Sequence, residues 1–328
     1  SCKMKRTYKL LLTTATAALI TVSAISASVL LTKPAASAFD SGYVAVDATS
    51  DDAMGWLGLE HDGALDIRDG YTETVDADIA SERVLQLYGK SVRARYDGSV
   101  TDSHSRFGYD IYRIADIDDY FAGHEAEYAA AGYGERKIEK LKEKDMYGKV
   151  LIDRADGTVR SFFLPILIDL DGANDDEGVK TAAMDWLSRY VDTAKYNDVA
   201  VSSIGSRYEI IARSIAANGL ELENMCLAVT ANGVVSAITR NPVHYADEAA
   251  ALGGTVIENA RAAADAKLAA VIGENGYTLD GSTVTSAQYS EYDGRPMIMF
   301  SYELTAHDAD DAEAESYSDL VDIAVFAD

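Results

Sequence analysis

Residues 208–238 read YEIIARSIAANGLELENMCLAVTANGVVSAI. Two Asn-Gly pairs, Asn218-Gly219 and Asn232-Gly233, divide this stretch into three apolar runs, and Asn-Gly is the pair that most readily supplies the positive-φ residues of a tight hairpin turn. Between the turns Met225, Leu227 and Val229 alternate with Cys226 and Ala228, the two-residue period of a strand whose side chains point to opposite faces. The stretch is therefore expected to be a three-stranded antiparallel meander. Its apolar face should meet a helix expected over 177–192, where Val179, Ala183, Trp186, Leu187 and Tyr190 fall on one stripe.

The same scheme of strand, Asp-Gly or Asn-Gly, and strand recurs on both sides. It is found around Asp156-Gly157 and again around Asp293-Gly294. A helix expected over 256–272 precedes the last hairpin, with Ile257, Ala260, Ala264, Leu268, Val271 and Ile272 on one stripe and Thr255 with Glu258 as a capping box. The unequal spacing of Gly157, Gly233 and Gly294 marks weak internal repetition and not a solenoid of fixed period. Upstream, strands are expected at 43–47, 55–67, 91–96 and 107–114, and helices at 78–88, 117–130 and 135–144. The expected fold class is α+β, built of repeated helix plus antiparallel β-meander units with the helices packed on one face of each sheet. The expected division is a leader at 1–38, an N-terminal α+β domain at 39–172, and two units at 173–245 and 246–328.

Lys5, Arg6 and Lys9 precede an uncharged run over 10–31 that closes near Ala36-Ser37-Ala38. This is the layout of an export signal, with Met4 as a start and Phe39 as the first residue after cleavage. The run is also nearly long enough to stay as a membrane anchor. Either outcome puts the remainder outside the cytoplasm, extracellular or in the cell envelope. The chain carries a formal net charge of −25. Five basic residues and no carboxylate precede Phe39, so cleavage leaves about −30, a charge that repels nucleic acid and anionic lipid. Membrane contact is then expected only through an uncleaved N-terminal segment. Cys226 alone among the cysteines follows the leader, which excludes an internal disulfide framework and suggests a buried, inert thiol.

The chemistry-bearing residues form no catalytic motif. His124-Glu125 opens like a zinc-protease helix, but Tyr128 replaces the second histidine, and the five histidines (His61, His104, His124, His244, His307) show no ligand spacing. Neither a catalytic residue nor a cofactor is expected. Calcium is the one cation the sequence suggests, through Asp169, Asp171 and Asp175, because a hard cation wants six to eight oxygens. Ala173, Asn174 and Lys180 depart from the EF-hand loop, and Asn174 or Asp175 equally suits the N-cap of the following helix. Twenty tyrosines against seven phenylalanines raise a second option, since exposed tyrosine suits carbohydrate or peptide contact. Tyr289, Tyr292 and Tyr302, grouped around one hairpin, are the candidate ligand contacts; half-buried sheet faces are the competing use of tyrosine.

The helix-then-meander layout, with Asn218-Gly219, the strand after it, Asn232-Gly233-Val234 and the earlier Ile152-Asp153 to Gly157-Thr158-Val159, resembles PepSY-type domains over roughly residues 145–310. The resemblance implies small non-catalytic α+β modules of secreted bacterial proteins that restrain peptidases or bind envelope ligands. The expected function is thus non-enzymatic binding of protein or peptide ligands at the bacterial cell exterior, including restraint of a peptidase. Two alternatives stay open: an extracytoplasmic hydrolase whose acidic residues lie far apart in sequence, and a calcium-dependent adhesive or structural protein. Two convergent carboxylates in a deep pocket favour the hydrolase, whereas an open sheet edge favours binding.

Overall fold

A computed structural model of the chain describes residues 43–48, 70–145, 147–242, 244–311 and 316–327. The leader at 1–38 and the strand expected at 55–67 lie outside the described residues. The first strands are β1 (Tyr43–Ala48), β2 (Tyr71–Thr74), β3 (Glu82–Leu87), β4 (Lys90–Asp102) and β5 (Gly108–Ile114). Three short helices follow, α1 (Ile117–Phe121), α2 (Glu125–Ala130) and α3 (Glu135–Lys142), then β6 (Lys149–Asp153), β7 (Val159–Phe162), β8 (Ile166–Leu167) and helix α4 (Asp176–Leu187). Next come β9 (Asp198–Ile204), β10 (Arg207–Ile215), β11 (Glu221–Thr230) and β12 (Val234–Pro242). Helices α5 (Ala246–Ala251) and α6 (Gly254–Glu274) lead into β13 (Tyr277–Tyr292), β14 (Arg295–Asp308) and β15 (Tyr317–Phe326).

The expected meander is β10, β11 and β12, antiparallel throughout, and β9 extends it by one strand. Its turns use Gly219 at φ 88° and Gly233 at φ 72°. Met225, Leu227 and Val229 are fully buried in one core with Val179, Ala183, Trp186 and Leu187 of α4. Burial of Trp186 contributes about 2–3 kcal/mol by apolar area. The reverse face is covered too, since Cys226 and Ala228 are also buried.

The repeated-unit reading is corrected by the sheet. Among the described residues strand makes up 46% and helix 24%, and their strands form one 15-stranded mixed sheet with the path β1-β15-β14-β13-β11-β12-β7-β6-β5-β4-β2. Residues 78–88 are not a helix: β3 lies there, paired with β4 from Glu82↔Arg95 to Leu87↔Lys90. The strand expected at 91–96 does not end before Asp97-Gly98 either. The register shifts between Tyr96 and Gly98, which takes φ 146°, so β4 passes through a bulge and continues for 13 residues. The helices also do not recur as equivalent covers, because α1, α2 and α3 pack around Val234 in a small cluster of their own.

Two main apolar cores lie along this sheet. The first holds α4 with strands β3 to β7 and β10 to β12; the second holds α6, through Ala260, Ala264, Leu268 and Ile272, with β13, β14 and β15. Leu220, in the β10–β11 turn, belongs to the second core although its strands belong to the first. Among the described residues no helix is long and apolar enough to cross a membrane.

The two glycines at similar positive φ in the β6–β7 and β11–β12 turns give a direct test. A Cβ at Gly157 (φ 70°) meets nothing within 4 Å, whereas one at Gly233 falls 2.5 Å from the carbonyl oxygen of Ile168. The Gly233 carbonyl also accepts from Ile168 N at 2.8 Å. Gly157→Ala should cost about 1–2 kcal/mol for the left-handed backbone alone, and Gly233→Ala distinctly more, read from urea midpoints. Equal losses would contradict the close approach of β12 to the chain at Ile168.

Candidate functional site

The acidic run before α4 is organised by the helix it precedes. Asp175 is the N-cap and accepts from Gly178 N at 2.7 Å, while Asp169 accepts from Asp171 N at 2.8 Å. Among the described residues no group of three or more His, Cys, Asp or Glu is placed to hold a metal ion. Tyr289, Tyr292 and Tyr302 are all buried. Tyr289 packs edge-on against Tyr245, Tyr292 stacks on His104 at 4.3 Å, and Tyr302 donates to Asp265 Oδ1 at 2.7 Å. They fill sheet faces, the competing use of tyrosine. Cys226 is buried, and that burial pushes its thiol up to about 12.

The polar groups that matter lie where the two cores meet. Glu221 of β11 and Gln288 of β13 form the one parallel bridge between these strands. Glu221 Oε1 accepts from both Gln288 Nε2 and Asn224 Nδ2, each at 2.5 Å. Asn224 Oδ1 accepts from Asn241 Nδ2 at 3.0 Å, and Asn241 Oδ1 accepts from Arg160 Nη2 at 3.3 Å. Arg160 in turn faces Asp153 at 3.5 Å. A polar ladder thus crosses β6, β7, β12 and β11 to reach β13. Glu221 Oε2 has no hydrogen-bond donor among the described residues and sits 3.4 Å from Arg213 Nε.

Two further contacts fasten the halves. The tip of the β4–β5 hairpin reaches across the chain: Arg106 N donates to Tyr245 Oη at 2.7 Å, Arg106 Nη2 pairs with Glu248 at 2.9 Å, and His104 Nδ1 pairs with Asp293 at 2.7 Å. Asn218 Nδ2 donates to the carbonyls of Ala249 and Leu252 at 2.7 and 3.1 Å, so the side chain that shapes the β10–β11 turn also pins it to the end of α5.

Beside this junction β11 and β13 diverge and leave a cleft of about 560 Å³. Its first wall is the β10–β11 turn with Arg213 and Asp198; its second is α6, where Ile257, Arg261 and Asp265 recur every four residues on one face. Val284, Thr285, Ser286 and Ala287 of β13 form its base with Phe300. Arg213 pairs with Asp198 at 3.0 Å and Arg261 with Asp265 at 2.9 Å. Glu258 also lines the cleft. It caps nothing, because α6 starts after Gly253 and has no side-chain cap, which corrects the expected Thr255–Glu258 box.

Two clusters outside the cleft bear on chemistry. Asp280 accepts from Ser316 Oγ at 2.7 Å through one oxygen and meets His307 Nδ1 at 2.6 Å through the other. The carboxylate therefore stands between serine and imidazole, the wrong order for a base-activated nucleophile. Glu223 accepts from Arg240, Lys195 and Tyr196. Burial opposes its charge, but these donors outweigh burial and hold the carboxyl below its usual range.

Compared with protein-family models, curated proteins and solved structures, the chain matches none.

One buried acid predicts a pH response. Glu209 of β10 accepts from Arg207 at 3.0 Å through Oε1, while Oε2 has no donor among the described residues. Burial pushes its carboxyl up to about 7, against the pull of Arg207. A raised folded-state value means that the unfolded chain loses this proton first. This acid's contribution to stability is therefore most favourable below the ordinary value of 4.5 and declines as pH rises to about 7. Glu209→Gln should raise the urea midpoint at pH 8 relative to the parent and leave it nearly unchanged at pH 4; an equal shift at both would contradict the burial of a charge.

Proposed function

We propose that the protein binds an extended polypeptide segment of another exported protein by adding it as a strand to the free edge of β13. One observation carries this reading. Over residues 277–287 β13 pairs with β14 alone among the described residues, its contact with β11 being the single bridge at Gln288, and this edge enters the cleft at Val284 to Ala287. An unpaired edge offers a row of N–H and C=O groups, which proteins usually blunt and which peptide-binding domains use for β-augmentation. The cleft adds side-chain recognition, and its volume lies in the range of ligand pockets, about 300–1,000 Å³.

Thr285 and Ser286 have no imidazole, thiol or amine beside them among the lining residues, which favours binding over nucleophilic chemistry. The export layout and the PepSY-type resemblance support placing this binding at the bacterial cell exterior, with restraint of a peptidase as one use. No cofactor enters this reading.

Ala262 is exposed on α6 and lines the cleft, so a large side chain there fills it without touching either core. Decapeptides selected from a displayed random library against the folded protein should lose at least about tenfold in affinity for Ala262→Trp, the loss of more than 1.4 kcal/mol. They should bind Val84→Lys, altered on the distant strand β3, as they bind the parent. Failure to select any binder, or binders indifferent to Ala262→Trp, would overturn the proposal.

A further inference from the structure

We infer that the bound segment is anchored by a basic side chain, lysine or arginine, whose cation enters the cleft between Glu221 and Glu258. This rests on the strand-addition reading and adds the chemistry of the ligand to it. Asp198, Glu221, Glu258 and Asp265 line the cleft against Arg213 and Arg261, so four carboxylates face two guanidinium groups. Arg213 lies against Asp198 and Glu221, and Arg261 against Asp265. Glu258 makes no ion pair among the described residues, which leaves the cleft with uncompensated negative charge.

The second, independent feature is Glu221 itself. Its side chain is 3% exposed, and Oε2 has no hydrogen-bond donor among the described residues. That oxygen's cationic neighbour is Arg213 Nε at 3.4 Å, and Arg213 is shared with Asp198, so one guanidinium serves two wall carboxylates and a further cation beside them adds compensation. Ile257 and Val284, with the buried Leu220 and Phe300, add apolar lining to the same cleft. A lysine or arginine stem fits such a surface, because its methylenes pack on apolar walls while the charged head reaches the carboxylates. An acidic side chain would meet excess like charge, and a neutral one would leave that charge unrelieved. The chain's net charge of −25 also steers basic partners toward it.

The test uses labelled decapeptides of alternating serine and valine with one central Lys, Gln or Glu, their binding followed by fluorescence anisotropy. The lysine peptide should bind at least about tenfold tighter than the glutamine peptide, with the glutamate peptide weakest and the preference reduced in high salt. Glu258→Gln, at an exposed position, should reduce the lysine preference below about threefold, whereas Val84→Lys, outside the cleft, should leave the affinities of the lysine and glutamine peptides unchanged. Glu221→Gln keeps an amide oxygen for Gln288 and Asn224 but sets its NH2 against Arg213, so it should also lower the lysine preference, with its urea midpoint reporting the structural cost. If the Lys and Gln peptides bind alike and both are lost on Ala262→Trp, the basic anchor is overturned and strand addition stands. If neither peptide binds, both readings are overturned.

Discussion

The contact between Glu221 and Gln288 is the constraint on which the rest of the structure depends. It joins strands of two different cores, and the pairing is parallel whereas the neighbouring pairings in the sheet are antiparallel. One bridge fixes little by itself. The carboxylate compensates by taking two amide donors at once, and Asn224, Asn241 and Arg160 extend the hydrogen-bonded line back across the first half. Withdrawing any donor from a buried acid costs more than the bond is worth in water, so this line holds register as well as position. The contacts of Arg106, His104 and Asn218 then fix the angle between the two halves.

The cleft follows from that arrangement. A sheet whose strands diverge after one bridge leaves an edge unpaired, and the second core requires α6 to lie beside it. The helix presents two stripes: Ala260, Ala264 and Leu268 close the core, while Ile257, Arg261 and Asp265 remain for the cleft. On the strand-addition proposal, such a site would gain backbone hydrogen bonds from an extended chain and select among chains by charge and shape. Selection by charge is consistent with a surface this acidic, because repulsion of acidic partners is as useful to specificity as attraction of basic ones.

Much of the meander was legible in residues 208–238, since Asn-Gly turns and two-residue alternation act locally, and the stripes of α4 and α6 were legible for the same reason. The fold class was not. Its error began where local patterns mislead: residues 78–88 carry enough apolar spacing to suggest a helix, yet β3 is held there by pairing with β4. Gly98 marks a bulge in a long strand and not a turn. In the first half of β13, Asp280 and Gly281 interrupt the strand preference of Tyr277, Thr278 and Thr283, and the segment is held by β14. Of the cleft, the sequence offered the α6 stripe and the turn at Asn218. The junction was hidden because Glu221 and Gln288 are 67 residues apart, and neither belongs to a motif. The tyrosines and the acidic loop stand out by composition; Tyr289, Tyr292 and Tyr302 are buried and Asp175 caps α4.

Amide hydrogen exchange in the free protein tests the central claim, an open edge beside a fixed junction, most directly. Along β13, amides directed to β14 should be protected and those directed to the free edge should exchange quickly, an alternation over residues 277–287 that changes phase at the register shifts between Leu279 and Gly281 and between Val284 and Ser286 and ends in slow exchange at Gln288. Uniform protection from Tyr277 to Tyr292 would mean that another part of the chain already pairs with this edge. A uniformly fast Gln288 would contradict the junction itself.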